Sequence, residues 1–140
     1  MSYFDNLIIG ELLKSGIHHG IITAHDHEAA CEVIRTKTNF IGNQINWQKL
    51  KNFENFNHIK KEDALDLLAK KITDHPSKKV FFISDSAMDE AYSISTKDIR
   101  NALNIFADVP QHLYMLPDTS NWIACISTEG NIDYAELSLE

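Results

Sequence analysis

The feature that most constrains this chain is a change of apolar period at Pro76. Before it, apolar residues recur at helical spacing. After it, they come as short runs and alternations of strand length. Leu65, Leu68, Ala69 and Ile72 stand at i, i+3, i+4 and i+7, which predicts a helix from Lys60 to Thr73. Lys70 and Lys71 complement the negative end of its dipole, and Pro76 stops it. An earlier helix is predicted from Tyr3 to about Ser15, capped by Ser2, with Phe4, Leu7, Ile8 and Leu12 near one stripe and Ile9 and Leu13 widening it. A third starts near Thr23, where Thr23-Ala24-His25-Asp26 resembles a capping box. Asn39 to Asn57 reads as an irregular loop with a short helix at Trp47–Asn52, its aromatics gluing the helical layer together.

Beyond Pro76, Lys79-Val80-Phe81-Phe82-Ile83 is a continuous apolar run that reads as a buried strand. Ala91–Ser95 is a second. Ser95-x-x-Asp98 then opens a helix of about ten residues carrying Ile99, Ala102, Leu103 and Phe106, closed before Pro110. His112–Leu116, Asn121–Ser127 and Ile132–Leu137 follow as strands, joined by turns at 117–120 and 128–131, which makes an antiparallel meander. In the middle strand Trp122, Ala124 and Ile126 face one way and Ile123 and Cys125 the other. Both faces are apolar, so it belongs inside the sheet with cover on both sides. The expectation is a single α+β domain over residues 1–140: N-terminal helices packed on a roughly five-stranded, mainly antiparallel sheet with one inserted helix.

No apolar run approaches the roughly 18 residues of a membrane span, and the start lacks the pattern of a secretory signal. Cys31 and Cys125 stand far apart within apolar stretches, which suits buried free thiols in a reducing cytoplasm. Net charge is −7, so phosphate backbones are repelled unless a local basic patch exists. The charge is uneven: residues 1–76 carry 9 basic and 10 acidic side chains, residues 77–140 carry 4 and 10. An acidic half can simply keep a protein soluble, or it can steer a basic partner.

Two constellations could carry function. His18, His19, His25 and His27 with Asp26 and Glu28 crowd into eleven residues and could serve a metal-dependent hydrolase. Their spacing is poor for that: His25 and His27 diverge on a helix, and no His-Glu-x-x-His pattern occurs. No nucleophile elbow, phosphate loop or Cys-x-x-Cys appears, and no cofactor is expected. The second constellation is acidic. Asp85, Asp89 and Glu90 share one loop, Asp118 and Glu129 sit in the two hairpin turns, and Asp133 lies in the last strand. If these converge at one end of the sheet, they form an acidic rim near aromatic residues, a composition suited to a protein interface. The alternative is a solvated loop edge, with any interface on the helical half around Trp47 and Phe53.

Three blocks of the second half resemble immunity proteins of bacterial toxin systems, in particular those of contact-dependent growth inhibition. They are Val80-Phe81-Phe82-Ile83-Ser84-Asp85, Val109-Pro110-Gln111-His112-Leu113-Tyr114 and Trp122-Ile123-Ala124-Cys125-Ile126-Ser127-Thr128-Glu129-Gly130. A weaker echo is Arg35-Thr36-Lys37-Thr38-Asn39-Phe40 with Trp47. The resemblance implies a small cytoplasmic protein without enzymatic activity. Its partner would be the C-terminal domain of a cognate toxin, in many systems a basic nuclease, and not a nucleic acid or a membrane. It transfers no binding residues.

Overall fold

The computed structural model describes residues 2–42, 44–85, 88–109 and 111–137. Helix α1 spans Tyr3–Lys14, strand β1 His19–Ile21 and helix α2 Ala24–Lys37. A hairpin follows, β2 (Phe40–Ile41) and β3 (Gln44–Ile45). After it come a 3-10 turn at Trp47–Lys49, strand β4 (Lys51–Asn55) and helix α3 (Lys61–Thr73). Strands β5 (Lys79–Ser84) and β6 (Tyr92–Ser95) lead into helix α4 (Ile99–Ala107), and β7 (Leu113–Pro117), β8 (Trp122–Ile126) and β9 (Ile132–Glu136) complete the chain. Pro110, read as the stop of α4, lies outside the described residues, as do Ser86 and Ala87 in the acidic loop.

The fold is α+β, but the sheet is larger than five strands. Seven strands run in the order β1-β6-β5-β7-β8-β9-β4, and every neighbouring pair is antiparallel. The two additional strands are the edges. β1 uses His19-Gly20-Ile21, too short to show an alternation, and becomes a strand because β6 offers it partners. β4 lies where the sequence reads as loop and helix. The helical turn after Trp47 ends at Lys49, and the chain then pairs with β9 through a register shift between Lys51 and Glu54. Asn52 sits at that irregularity with φ +53°, a conformation Asn tolerates better than most side chains, and its amide donates to Glu136.

The expected meander β7-β8-β9 forms, with Leu113 paired to Ile126 and Ile126 to Ile132, and β8 is buried on both faces. One face packs Val80, Phe82, Ile94 and Trp122 against Ile8, Leu65, Leu68 and Phe106 of α1, α3 and α4. The other packs Ile83, Leu116, Ile123 and Cys125 against Ala30 and Ile34 of α2, with Ile45, Trp47 and Leu50. Helix layers therefore cover both sides of the sheet. The aromatics after α2 join this second layer, and Trp47 stacks on Phe53 at 6.0 Å.

Helix α1 ends as its sequence dictates. Gly16 adopts φ +68°, its N–H bonds to the Leu13 carbonyl, and the Ile17 N–H bonds to that of Leu12. This is a Schellman cap, and the buried Ile17 packs in the same cluster as Leu12. Among the described residues no helix is long and apolar enough to cross a membrane.

Candidate functional site

Strand register decides which acidic residues share an end of the sheet. β5 pairs Ser84 with Leu113 and Val80 with Pro117. The loop after β5, carrying Asp85, Asp89 and Glu90, therefore lies beside the start of β7. The end of β8 is there too, since Leu113 pairs with Ile126, and so is the turn holding Glu129. Asp118 follows Pro117 at the opposite end, where its N–H reaches the Lys79 carbonyl at 3.4 Å. Asp118 is thus not part of a common rim. Asp133 is close to the acidic end but turned inward. It pairs with Cys125 on the α2 face, is 9 % exposed and accepts from the Asn55 amide at 2.6 Å. Burial raises its pKa, against the pull of the Asn55 hydrogen bond. Four of the six sequence candidates, Asp85, Asp89, Glu90 and Glu129, therefore present carboxylates around one end.

That end is held rigid by two polar hubs. The first is Asp5, fully buried in the first turn of α1. It accepts from the Ser2 N–H and hydroxyl, the Tyr92 hydroxyl, and the N–H groups of Asp89 and Glu90 at 2.7 and 3.2 Å. Burial alone would raise its pKa. The converging donors outweigh burial and hold the carboxyl at about 2. The second hub is His112. Its N–H donates to Asp85 at 3.2 Å, and its Nδ1 meets the hydroxyl and N–H of Thr128 at 2.9 and 3.0 Å. His112 so links the Asp85 loop to the turn bearing Glu129. The Glu129 carboxyl is held below its ordinary range by its own N–H and the Ser127 hydroxyl, with His112 adding to the effect.

Sequence reasoning missed the apolar part of this end. Tyr3 is 74 % exposed and Leu7 42 %, one turn apart on α1. Leu7 and Glu11 line a groove with Ile105, Asp108 and Val109 of the α4 end. Asp108 and Val109 also line a second groove with Thr128, Glu129 and Gly130. The two grooves therefore adjoin at Asp108 and Val109. With the Asp89–Glu90 loop that Asp5 holds, they make a belt around this end: apolar side chains of α1 and α4 with Glu11, Asp108 and Glu129 in the groove walls, and Asp89 and Glu90 on the neighbouring loop. The signal was present in α1, whose apolar stripe is wider than one buried face needs.

The histidines separate. His18 precedes β1 and His19 opens it, His25 is exposed on α2, and His27 lines a different groove with Cys31, Asp85 and Tyr114. Among the described residues no group of three or more His, Cys, Asp or Glu is placed to hold a metal ion. Neither thiol is activated. Burial and Glu28 raise the Cys31 pKa, and burial with Asp133 raises that of Cys125. A nucleophilic cysteine needs the opposite shift. Tyr114 beside them is pushed up to about 12 by burial and the negative charge around it.

No family model matches the chain, and comparison with curated proteins gives no significant match.

Proposed function

We propose that this protein is an immunity protein that binds and neutralises a cognate toxin domain, a nuclease with a basic surface, by covering its active site. The observation that carries the reading is the belt at one sheet end, where exposed Leu7 shares a groove with Glu11 and Asp108, with exposed Tyr3 one turn away on α1 and Glu129 in the adjoining groove. Apolar anchors inside a charged border are the usual energetic layout of tight protein interfaces. The carboxylates attract a cationic partner before contact and raise the association rate. Tyr3 and Leu7 lose water only in the complex and so slow dissociation. A nuclease must present cations to bind substrate phosphates, and the acidic belt occupies those same cations. The preorganised hubs at Asp5 and His112 reduce the entropy lost on docking.

The test is binding to the toxin domain encoded directly upstream of this gene. Wild type should bind it and suppress its nuclease activity. Tyr3→Ala with Leu7→Ala should raise the dissociation rate by about tenfold or more. Absence of binding, or equal dissociation rates in the double variant, overturns the reading.

A further inference from the structure

The opposite end of the sheet carries the reverse chemistry. An open groove of about 970 Å³ runs along β1 and β6 beside the start of α2. Its floor is the α2 face of the sheet. Ser93 and Ser95 point into it, because they alternate with the buried Tyr92 and Ile94 and pair with Phe81 and Lys79. Small side chains on β6 and Gly20 on β1 leave this strip of sheet concave where α2 does not cover it. Lys78, Lys79 and Lys97 line the groove, and all three are exposed. None of them makes an ion pair with a described residue, although Asp26 and Asp118 line the same groove. In a chain of net charge −7, three lysines without an ion pair among the described residues, lining one groove with serine hydroxyls and Phe81, are the local basic patch that composition concealed.

We propose that this groove binds a phosphorylated ligand of nucleotide size. Lysine is a point-charge partner for phosphate, and Ser93, Ser95 and Thr96 supply hydroxyl donors beside it. The volume lies within the range of small-molecule sites, and partly exposed Phe81 gives an apolar surface for a planar group. Asp26 and Asp118, the latter beside Lys79 through its N–H, line the same groove and limit how much negative charge it accepts. The lysines lie at the Ser95 end of β6, away from the loop that carries Asp89 and Glu90, and the site does not depend on the immunity reading.

The experiment is an amide-resolved NMR titration of the protein alone with sodium tripolyphosphate, against sodium sulfate at equal ionic strength. Saturable shifts are expected at residues 18–22, 78–81 and 93–97, with tripolyphosphate but not with sulfate. Replacing Lys78 and Lys97 by Gln should weaken the affinity by about tenfold or more, since each removes a charge-assisted contact. The rest of the amide spectrum reports whether the variant is folded, and Lys79→Gln alone gives a milder second point. Shifts that do not saturate, that spread equally to Lys49, Lys60 and Lys70, or that persist unchanged in the variants overturn the proposal.

Discussion

The Tyr92 hydroxyl donates to the Asp5 carboxylate, joining the first turn of α1 to a strand 87 positions later in the chain. Both groups are inaccessible to solvent. Burial and the bond to Asp5 both push the Tyr92 pKa upward, so the phenol keeps its proton and remains the donor. The same carboxylate receives the N–H groups of Asp89 and Glu90. One buried charge thus fixes the part of the loop that carries Asp89 and Glu90.

Asp5→Ala should cost about 3 kcal/mol or more, because it leaves several buried donors unpaired and removes the Asp5 half of the capping box with Ser2. Tyr92→Phe removes one donor and should cost about 1.5–3 kcal/mol. Urea denaturation of both variants checks the order. A smaller loss for Asp5→Ala than for Tyr92→Phe would contradict the hub.

The pH dependence follows from the sign of the Asp5 shift. Its ordinary value is 3.8 and the folded value about 2. As pH falls, the unfolded chain takes up the proton first. The stabilisation of about 2 kcal/mol is therefore complete above about pH 5 and lost between about pH 4 and 2. Subtracting the stability curve of Asp5→Asn from that of wild type isolates this contribution. A difference that stays constant down to about pH 2 means that Asp5 is not the responsible group.

Asp133 should behave in the opposite direction. Burial raises its pKa, so the folded state disfavours its charge at neutral pH. Asp133→Asn keeps an acceptor for Asn55 and should leave stability at pH 7 equal or higher. It should also leave partner binding unchanged, because the side chain faces inward. A loss above about 1 kcal/mol would show that the charge itself is stabilising.

Trp122 is fully buried, stacked at 5.9 Å on both His75 and Tyr134. Trp122→Ala should cost about 3–5 kcal/mol. Trp122→Phe should cost clearly less, since the indole N–H has no hydrogen-bond partner among the described residues and only packing is lost. Equal losses in the two variants would mean that the N–H is the critical group.

Charge reversal separates the two ends of the sheet. Reversing Asp89, Glu90 and Glu129 together should slow association with the toxin domain and flatten its salt dependence, since salt screens such attraction over about 8 Å at physiological strength. Folding should be nearly unaffected, because exposed charges contribute little to stability. Asp118→Lys, at the far end, should leave the association rate as it is. Stopped-flow rates across a salt series read both effects, and equal effects from the two variants place the interface elsewhere.

What the sequence determined by itself is the local order. The helical stripe of α3, the cap of α1, the alternation in β8 and the meander follow from periodicity and turn chemistry, which depend on neighbours a few positions away. The separation of Asp118 from Glu129 is local order too, since successive hairpin turns of a meander lie at opposite ends of its strands. The edge strands β1 and β4 were not legible, since each is a strand only because β6 or β9 supplies hydrogen-bond partners. The Asp5 hub, the exposure of Tyr3 and Leu7, and the lysine groove belong to tertiary structure for the same reason. Each arises where segments distant in the chain meet, and burial, pairing and charge balance are properties of that meeting rather than of either segment.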